Sequence, residues 1–165
     1  MEIKILDLGC GSSKHPNSIG ADINLNSEAD VICDLNNSNY PFKDDCFDMV
    51  VSKQLFEHVA DVETVLKEVY RICKNKAKIV IEVPHFSCFY AYGDPTHKRC
   101  FSILSFDKIA LRCGFKIIVK KFTFHKALRR YKINFLANKF PINYERFWAF
   151  IFPSENLSFE LEVIK

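Results

Sequence analysis

The sequence predicts an α/β protein built on a doubly wound, mostly parallel sheet. Seven short segments have the near-continuous apolar runs of strands that are buried on both faces. Segments with helical periodicity separate several of them, and this alternation is typical of parallel sheets covered by helices. The 165-residue length fits one domain, residues 1–165. The predicted strands are 3–8, 19–23, 29–35, 47–52, 78–83, 115–124 and 157–164.

The first half of the chain contains the clearest helix signal. Apolar residues of segment 61–74 recur every three or four positions, and Asp61 is the expected N-cap. Pro84 stops the strand that follows this helix, because proline has no amide hydrogen for the ladder.

The second half contains two further predicted helices. The first spans 105–113, with Ser105 as its cap and Gly114 at its end. The second is a basic amphipathic helix over 126–140. Its apolar side is expected to carry Leu128, Tyr131, Phe135 and Leu136, and its basic positions are Lys126, Arg129, Arg130 and Lys132.

The composition excludes several classes of protein. With 48% apolar and 26% charged residues, the chain is not disordered, and no apolar run reaches the roughly 18 residues of a membrane span. The first residues enter a strand directly, which predicts no secretion leader.

Seven cysteines without a CxxC pair predict reduced thiols in a cytoplasmic protein and no structural zinc site.

Charge is unevenly distributed along the chain. Residues 1–115 carry 13 basic and 16 acidic side chains, whereas residues 116–146 carry nine basic ones against Glu145 alone. The helix over 126–140 therefore fits a solvated outer face, a contact with an anionic membrane surface or a site for a phosphate-bearing ligand. Nucleic acid is not expected, because basic and aromatic residues do not interleave. The aromatic run 147–152 fits core packing or a homodimer interface better than the wall of a pocket.

Glycine or polar residues follow four predicted strands, at the edge of the sheet where doubly wound folds bind ligands. The first group is Asp7-Leu8-Gly9-Cys10-Gly11, in which glycine lets the backbone approach a ligand closely. Asp22 ends the second strand and can accept hydrogen bonds from both hydroxyls of a ribose. Asp34, after the third strand, can receive the amine of an adenine, and Ser52-Lys53-Gln54 ends the fourth. The GxG pair alone also fits a plain turn, so the prediction depends on the order of all four groups.

These segments resemble the class I S-adenosylmethionine-dependent methyltransferases, particularly the small-molecule group called methyltransferase type 11. The resemblance covers residues 4–84 and implies a Rossmann-like methyltransferase fold with S-adenosyl-L-methionine as its cofactor. It further implies a cofactor-binding half over 1–84 and an acceptor-side half over 85–165. The matching segments are LDLGCGSS, GADI, VICDLNN, YPFKDDCFDMVVSKQLFEHV and VETVLKEVYRICKNKAKIVIEVP.

The resemblance also implies roles for residues at the first two strand ends. Asp7 would orient the glycine loop and the ammonium group of the cofactor. Asp22 would hold the ribose hydroxyls. The methionine moiety and the ribose would be lined by Gly9, Cys10 and Gly11.

Further roles are implied at the next two strand ends. Asp34 and Leu35 would flank the adenine, and backbone groups of Ser52 and Lys53 would face the sulfonium. The sequence Glu57-His58-Val59 matches a family signature whose histidine is more often structural than chemical.

The chain departs from the family pattern in its first crossover. The segment SSKHPNSI is only eight residues long and contains Pro16, so an ordinary helix does not fit between the first two strands. The chain also starts at its first strand, so helices that cover the cofactor are not expected before it. We therefore expect an open cofactor pocket, or a lid that a partner subunit supplies.

The loop after the fifth predicted strand is rich in reactive side chains. His97 or His85 can take a proton from an acceptor near neutral pH, which makes both candidate catalytic residues. Asp94, His97 and Arg99 are candidate substrate-binding residues, since arginine binds a carboxylate or phosphate at two points. A local turn explains Asp94 and Thr96 equally well. No spacing indicates a metal, so no metal site is predicted.

The sequence thus predicts transfer of a methyl group from S-adenosyl-L-methionine to an O or N nucleophile. The acceptor class stays open between a small molecule, a glycan and a lipid-linked precursor. The alternative is a non-catalytic S-adenosylmethionine-binding protein, or a subunit that needs a partner for activity. A nicotinamide-dependent enzyme is disfavoured because the GxGxxG pattern is absent.

Overall fold

The computed structural model describes residues 3–129 and 132–165. Its strands are β1 (Ile5–Leu8), β2 (Ser18–Asp22), β3 (Val31–Ile32), β4 (Phe47–Lys53), β5 (Cys73–Pro84), β6 (Phe115–Thr123) and β7 (Asn156–Val163). They form one sheet in the order β3-β2-β1-β4-β5-β7-β6. All neighbours from β3 to β5 are parallel, whereas β7 runs antiparallel between β5 and β6. The predicted seven-stranded, mostly parallel sheet is confirmed.

The helices are α1 (Val62–Ile72), α2 (Tyr90–Gly93), α3 (Asp107–Arg112), α4 (Lys126–Arg129), α5 (Ile133–Lys139) and α6 (Pro141–Phe147). The predicted cap of α1 is confirmed, because the Asp61 carboxylate accepts the backbone N–H groups of Glu63 and Thr64 at 3.1 Å. The buried face of α1 consists of Val62, Val65, Leu66, Glu68, Val69 and Ile72.

The strand order places the ligand-binding edge of the sheet. From β1, the chain continues to one side through β2 and β3 and then to the other side through β4 and β5. In doubly wound sheets, ligands bind outside the carboxyl ends of the strands at such a reversal. Buried apolar residues such as Leu6, Val50, Ile79 and Leu161 fix the strands beneath this edge.

The first crossover has no helix. Residues 9–17, all of which are described, form turns. Carboxylates hold them instead: Asp7 Oδ2 accepts the His15 N–H at 2.7 Å, and Lys14 Nζ lies 2.8 Å from Asp30 Oδ2. The shortened crossover expected from the sequence is therefore confirmed.

Two predicted helices differ from the structure. Ser105 does not cap α3, because its Oγ accepts the Ser102 N–H and the helix begins at Asp107. The helix over 126–140 is replaced by α4 and α5, and Lys132 before α5 has a left-handed backbone with φ of 56°. Arg130 and Tyr131, which were assigned to this helix, lie outside the described residues.

The aromatic run 147–152 is not core. Phe147, Trp148, Phe150 and Ile151 are exposed, and only Ala149 is fully buried. This finding excludes core packing for these four side chains, and Trp148 and Phe152 line an apolar cavity. In the described part of the chain, none of the helices has the length and apolar character needed to cross a bilayer.

Candidate functional site

A small cavity lies at the carboxyl ends of the first strands, and we call it the strand-end cavity. Its volume is about 100 Å³. Four residues predicted to bind the cofactor line it, namely Gly9, Asp22, Asp34 and Leu35. The other lining residues are Ile23, Asn36, Leu55, His58 and Val59.

Both carboxylates of the strand-end cavity are fixed by local hydrogen bonds. Asp22 Oδ2 accepts the Gly11 N–H at 2.8 Å, and its Oδ1 accepts the Asn24 N–H at 2.9 Å. Asp34 Oδ1 accepts the backbone and side-chain N–H groups of Asn36, and these bonds lower the pKa of Asp34. Carboxylate oxygens have further lone pairs, so both groups can still accept hydrogen bonds from a ligand.

The glycine loop has the shape that a close ligand requires. Gly9 and Gly11 have φ angles of 76° and 53°, a region that favours glycine. A Cβ on Gly9 would lie 3.0 Å from the Leu55 side chain, whereas a Cβ on Gly11 would meet no atom within 4 Å. The loop therefore packs against the protein at Gly9 and leaves space beside Gly11.

Five other residues predicted to bind the cofactor surround the strand-end cavity without lining it. Asp7 is buried, and this burial raises its pKa. Burial likewise raises the pKa of the Cys10 thiol to about 11, so the thiol stays protonated. Ser52 is buried, and its hydroxyl has no hydrogen-bond partner among the described residues. Lys53 is exposed, and Gly11 borders the open space described above.

A second cavity, which we call the loop cavity, lies between the end of β4 and the loop after β5. It has a volume of about 440 Å³. Asp94 and His97, both predicted to contact the acceptor, line it, and His58 lines both cavities. Its lining residues are Gln54, Glu57, His58, Pro84, Cys88, Tyr90, Asp94, His97, Glu155 and Asn156.

Hydrogen bonds define the free nitrogen of each histidine in the loop cavity. His97 Nδ1 lies 3.2 Å from the Ala91 carbonyl, which only accepts, so Nδ1 donates. Thr96 gives its hydroxyl hydrogen to Asp94 at 2.6 Å, so His58 Nδ1, at 3.0 Å, donates to Thr96. In the neutral form, both rings therefore have an unprotonated Nε2, and the ring centroids are 4.7 Å apart.

Glu57 is a buried carboxyl group at the same place. The residue is 1% exposed, and neither side-chain oxygen accepts a hydrogen bond from another described residue. Burial raises its pKa to about 7, against the opposing effects of the residue's own backbone N–H and of His97. Burial also lowers the pKa of His58.

Two residues predicted to contact the acceptor lie elsewhere. His85 is fully buried: the Ser87 N–H donates to its Nδ1 at 3.2 Å, and its Nε2 lies 3.1 Å from Glu145 Oε1. His85 lines neither cavity, so its placement favours a structural role over the predicted role as a catalytic base. Arg99 Nη2 donates to the Ala60 carbonyl at 2.7 Å and lines neither cavity.

Some residues of the loop cavity were not predicted from the sequence. Asn156 arrives from the start of β7, and its Oδ1 accepts a hydrogen bond from Gln54 at 3.2 Å. Glu155, just before β7, also lines the cavity. No local pattern marks these residues, because only the antiparallel pairing of β7 with β5 brings them to the site. Glu57 was visible only as part of a motif.

The sheet order, the glycine loop and the two carboxylates define a Rossmann-like class I methyltransferase fold. A methyltransferase from Archaeoglobus fulgidus is 21% identical with a TM-score of 0.72, covering 97% of this chain and 86% of that one. The matched chain in a Haloferax volcanii complex of a methyltransferase with the Trm112 activator is 16% identical with a TM-score of 0.69. That match covers 99% of this chain and 82% of that one. Haemonchus contortus phosphoethanolamine N-methyltransferase 2 in complex with S-adenosyl-L-methionine is 18% identical with a TM-score of 0.67. That match covers 98% of this chain and 48% of that one. At these identities, the likeness shows the fold.

Sequence comparison adds a family match over part of the chain. Residues 6–81 match the family model of a methyltransferase domain. An uncharacterized protein of Methanocaldococcus jannaschii is 37% identical over 91 residues, which are 48% of this chain and 40% of that protein. This chain thus matches less than half of that relative's length. Over residues 6–81, the chain matches the methyltransferase-domain family, which bears out the resemblance predicted from its sequence.

The raised pKa of Glu57 has a consequence for stability. Because this pKa rises from 4.5 to about 7 on folding, the folded state binds the Glu57 proton more tightly than the unfolded state does. The resulting contribution to the free energy of unfolding is complete below pH 4.5 and is lost as the pH rises through 7. The loss should amount to roughly 3 kcal/mol of unfolding free energy. Glu57→Gln should abolish this pH-dependent loss. Urea unfolding of both proteins across this pH range, with a chelator present, measures it.

The matched control for this experiment is Glu63→Gln on α1. Ion pairs with Lys67 and Arg112 lower the pKa of Glu63, so this partly exposed group should contribute to the pH profile with the opposite sign. Parallel pH profiles for the wild type and Glu57→Gln would contradict the assignment of the raised pKa.

Proposed function

We propose that this chain transfers a methyl group from S-adenosyl-L-methionine to an O or N nucleophile of a small-molecule, glycan or lipid-linked acceptor. The observation that carries the proposal is that His58 lines both the strand-end cavity and the loop cavity. A cofactor in the first cavity would therefore adjoin an acceptor in the second. Residues 1–84 would hold the cofactor, and residues 85–165 would supply most of the acceptor side.

The strand-end residues fit the parts of the proposed cofactor. Asp22 would accept the ribose hydroxyls, Asp34 and Leu35 would flank the adenine, and the open side of Gly11 would admit the methionine moiety. Asp7 holds the loop through the His15 N–H. When bound, S-adenosyl-L-methionine supplies a methyl group that its sulfonium already activates. The protein then needs chiefly to position the two reactants and to exclude water.

The loop cavity fits the acceptor side of this reaction. His97 has a free Nε2, which can accept a proton from a hydroxyl or ammonium group of the acceptor. Asp94 fixes the turn through the Thr96 N–H and hydroxyl, and Thr96 in turn orients His58. We therefore propose His97 as the catalytic base and assign Asp94 a positioning role.

The small volume of the strand-end cavity, about 100 Å³, favours a second candidate function. In this alternative, the chain binds S-adenosyl-L-methionine without catalysis, or acts as a subunit whose partner completes the site. Saturable binding of S-adenosylhomocysteine without methyl transfer to any acceptor pool would support it.

Removal of the Asp22 carboxylate tests the cofactor site. Asp22→Ala should weaken S-adenosylhomocysteine binding by about 1–3 kcal/mol in calorimetry, because hydrogen bonds to a charged group are lost. Asp48→Ala is the matched control, since Asp48 also accepts a backbone N–H, that of Lys4 at 3.0 Å, but lies outside the cavity lining and away from the first crossover. Equal affinity of the wild type and Asp22→Ala would refute the ribose assignment.

Removal of the His97 ring tests the acceptor side. His97→Ala should leave S-adenosylhomocysteine affinity unchanged and lower methyl transfer by about 100-fold, the scale of general base catalysis. His125→Ala, which changes an exposed histidine outside both cavities, should leave both quantities unchanged. A parallel fall of affinity and turnover in His97→Ala would show that the loop is structural.

An exposed apolar surface on α5, α6 and run 147–152 supports a membrane-bound acceptor pool. Trp148 and Phe140 line an apolar cavity of about 420 Å³ there. Lys139 lies over the Phe135 and Phe140 rings, and Arg146 lies over Phe147. Because interfacial segments combine buried apolar groups with cations that attract anionic lipid, we propose that this surface docks on an anionic membrane.

Vesicle flotation tests this docking. Phe150→Ser should lower binding to phosphatidylglycerol-containing vesicles by about tenfold, since one large apolar side chain no longer enters the interface. Leu111→Ser is the matched control, because Leu111 is 76% exposed and Phe150 is 78% exposed, but Leu111 lies on α3. Failure of the wild type to float would contradict membrane docking. Dimers in sedimentation that Phe150→Ser dissociates would assign the surface to a second copy of the chain instead.

A further inference from the structure

Glu57, His58 and His97 bring three ligand atoms together in the loop cavity. One atom from each residue lies within 4.8 Å of the other two. Glu57 is almost completely buried, and its carboxylate accepts no hydrogen bond from another described residue. Buried polar groups normally have partners, so an unpartnered buried carboxyl group beside two imidazoles points to a ligand site.

The hydrogen bonds around the cluster leave each histidine with its acceptor nitrogen available. His97 Nδ1 donates to the Ala91 carbonyl, and His58 Nδ1 donates to Thr96, whose hydroxyl donates to Asp94. Metal-bound histidines show this arrangement, in which the second ring nitrogen donates to a carbonyl or to a hydrogen-bonded oxygen. The Nε2 atom of each ring is thus free to donate a lone pair to a metal ion.

We propose that Glu57, His58 and His97 bind a divalent transition metal ion, of which Zn²⁺ is the best match. Two imidazoles and one carboxylate are a common zinc ligand set that leaves a fourth position for water or substrate. An ammonium group is a poorer match, because it prefers oxygen acceptors at hydrogen-bond distance over two imidazole nitrogens. Zinc bonds of about 2.0–2.2 Å require the three ligand atoms to approach somewhat closer than in the present arrangement.

The site faces the place where the acceptor is proposed to bind. A metal with an open position there would bind an acceptor oxygen and lower the pKa of its hydroxyl. This role rests on the proposed methyl transfer, whereas the metal site itself stands on the geometry of the three ligands. The metal would then take over the activation of the acceptor, and His97 would act as its ligand.

The sequence predicted no metal site, and the reason is topological. Glu57 and His58 are adjacent in the chain, and adjacent residues are not a recognisable ligand spacing. His97 reaches them only because the loop after β5 folds back, where the Lys98 N–H donates to the Glu57 carbonyl at 2.8 Å.

Metal titration of the full chain tests the site directly. Chelator-treated, reduced wild-type protein should bind one equivalent of Zn²⁺ in calorimetry, and Co²⁺ should give a visible d–d spectrum without a thiolate charge-transfer band. His97→Ala should weaken Zn²⁺ binding by at least about 100-fold. Thr96→Val, which removes the oxygen that orients His58, should weaken it by about 10–100-fold. His125→Ala is the control and should bind like the wild type.

Three outcomes would overturn the metal site. They are the absence of saturable Zn²⁺ binding, equal binding by the wild type and His97→Ala, and a Co²⁺–thiolate band that places the metal on cysteine. Far-UV circular dichroism of the same proteins shows that each variant is folded. S-adenosylhomocysteine affinity separates the two proposals, since a wild type that binds Zn²⁺ but no S-adenosylhomocysteine would contradict the methyltransferase function and leave the metal result standing.

Discussion

The carboxylate of Asp22 is the interaction on which the strand-end cavity depends. It joins the glycine loop to the end of β2 by accepting the N–H groups of Gly11 and Asn24. A first crossover without a helix lacks the backbone hydrogen bonds that a helix would supply. Three carboxylates replace them, since Asp7 and Asp30 also accept backbone N–H groups beside the crossover. The groups proposed to recognise the cofactor therefore also maintain the shape of its site.

The loop after β5 has a different means of support. Its two ends are tied together where His85 pairs with Phe101, and the buried His85 ring contacts Glu145 of α6. The Lys98 N–H then attaches the loop to the Glu57 carbonyl. These contacts bring His97 against a segment distant in sequence, so the acceptor side is built from long-range contacts. This construction explains how a loop can hold reactive groups at defined distances.

The sequence was sufficient for the features that local patterns encode. Alternating apolar runs predicted all seven strands, the repeat after Asp61 predicted α1, and Pro16 predicted a crossover without a helix. Local patterns failed where long-range contacts decide. The predicted helix over 126–140 is interrupted at the left-handed Lys132, and histidine chemistry alone could not show that His85 is buried. Likewise, the hydrogen bond between Gln54 and Asn156 forms only because the strands pair, and no local sequence pattern in either segment predicts that pairing.

The central claim is that a nucleoside in the strand-end cavity adjoins an acceptor in the loop cavity, with His58 between them. A crystal structure of the chain with S-adenosylhomocysteine tests this claim most directly. We expect the ribose hydroxyls at Asp22, the adenine beside Leu35 and the sulfur directed toward His58 and the loop cavity. A nucleoside bound elsewhere, for example in the apolar cavity beside Trp148, or a sulfur directed away from His58, would contradict it.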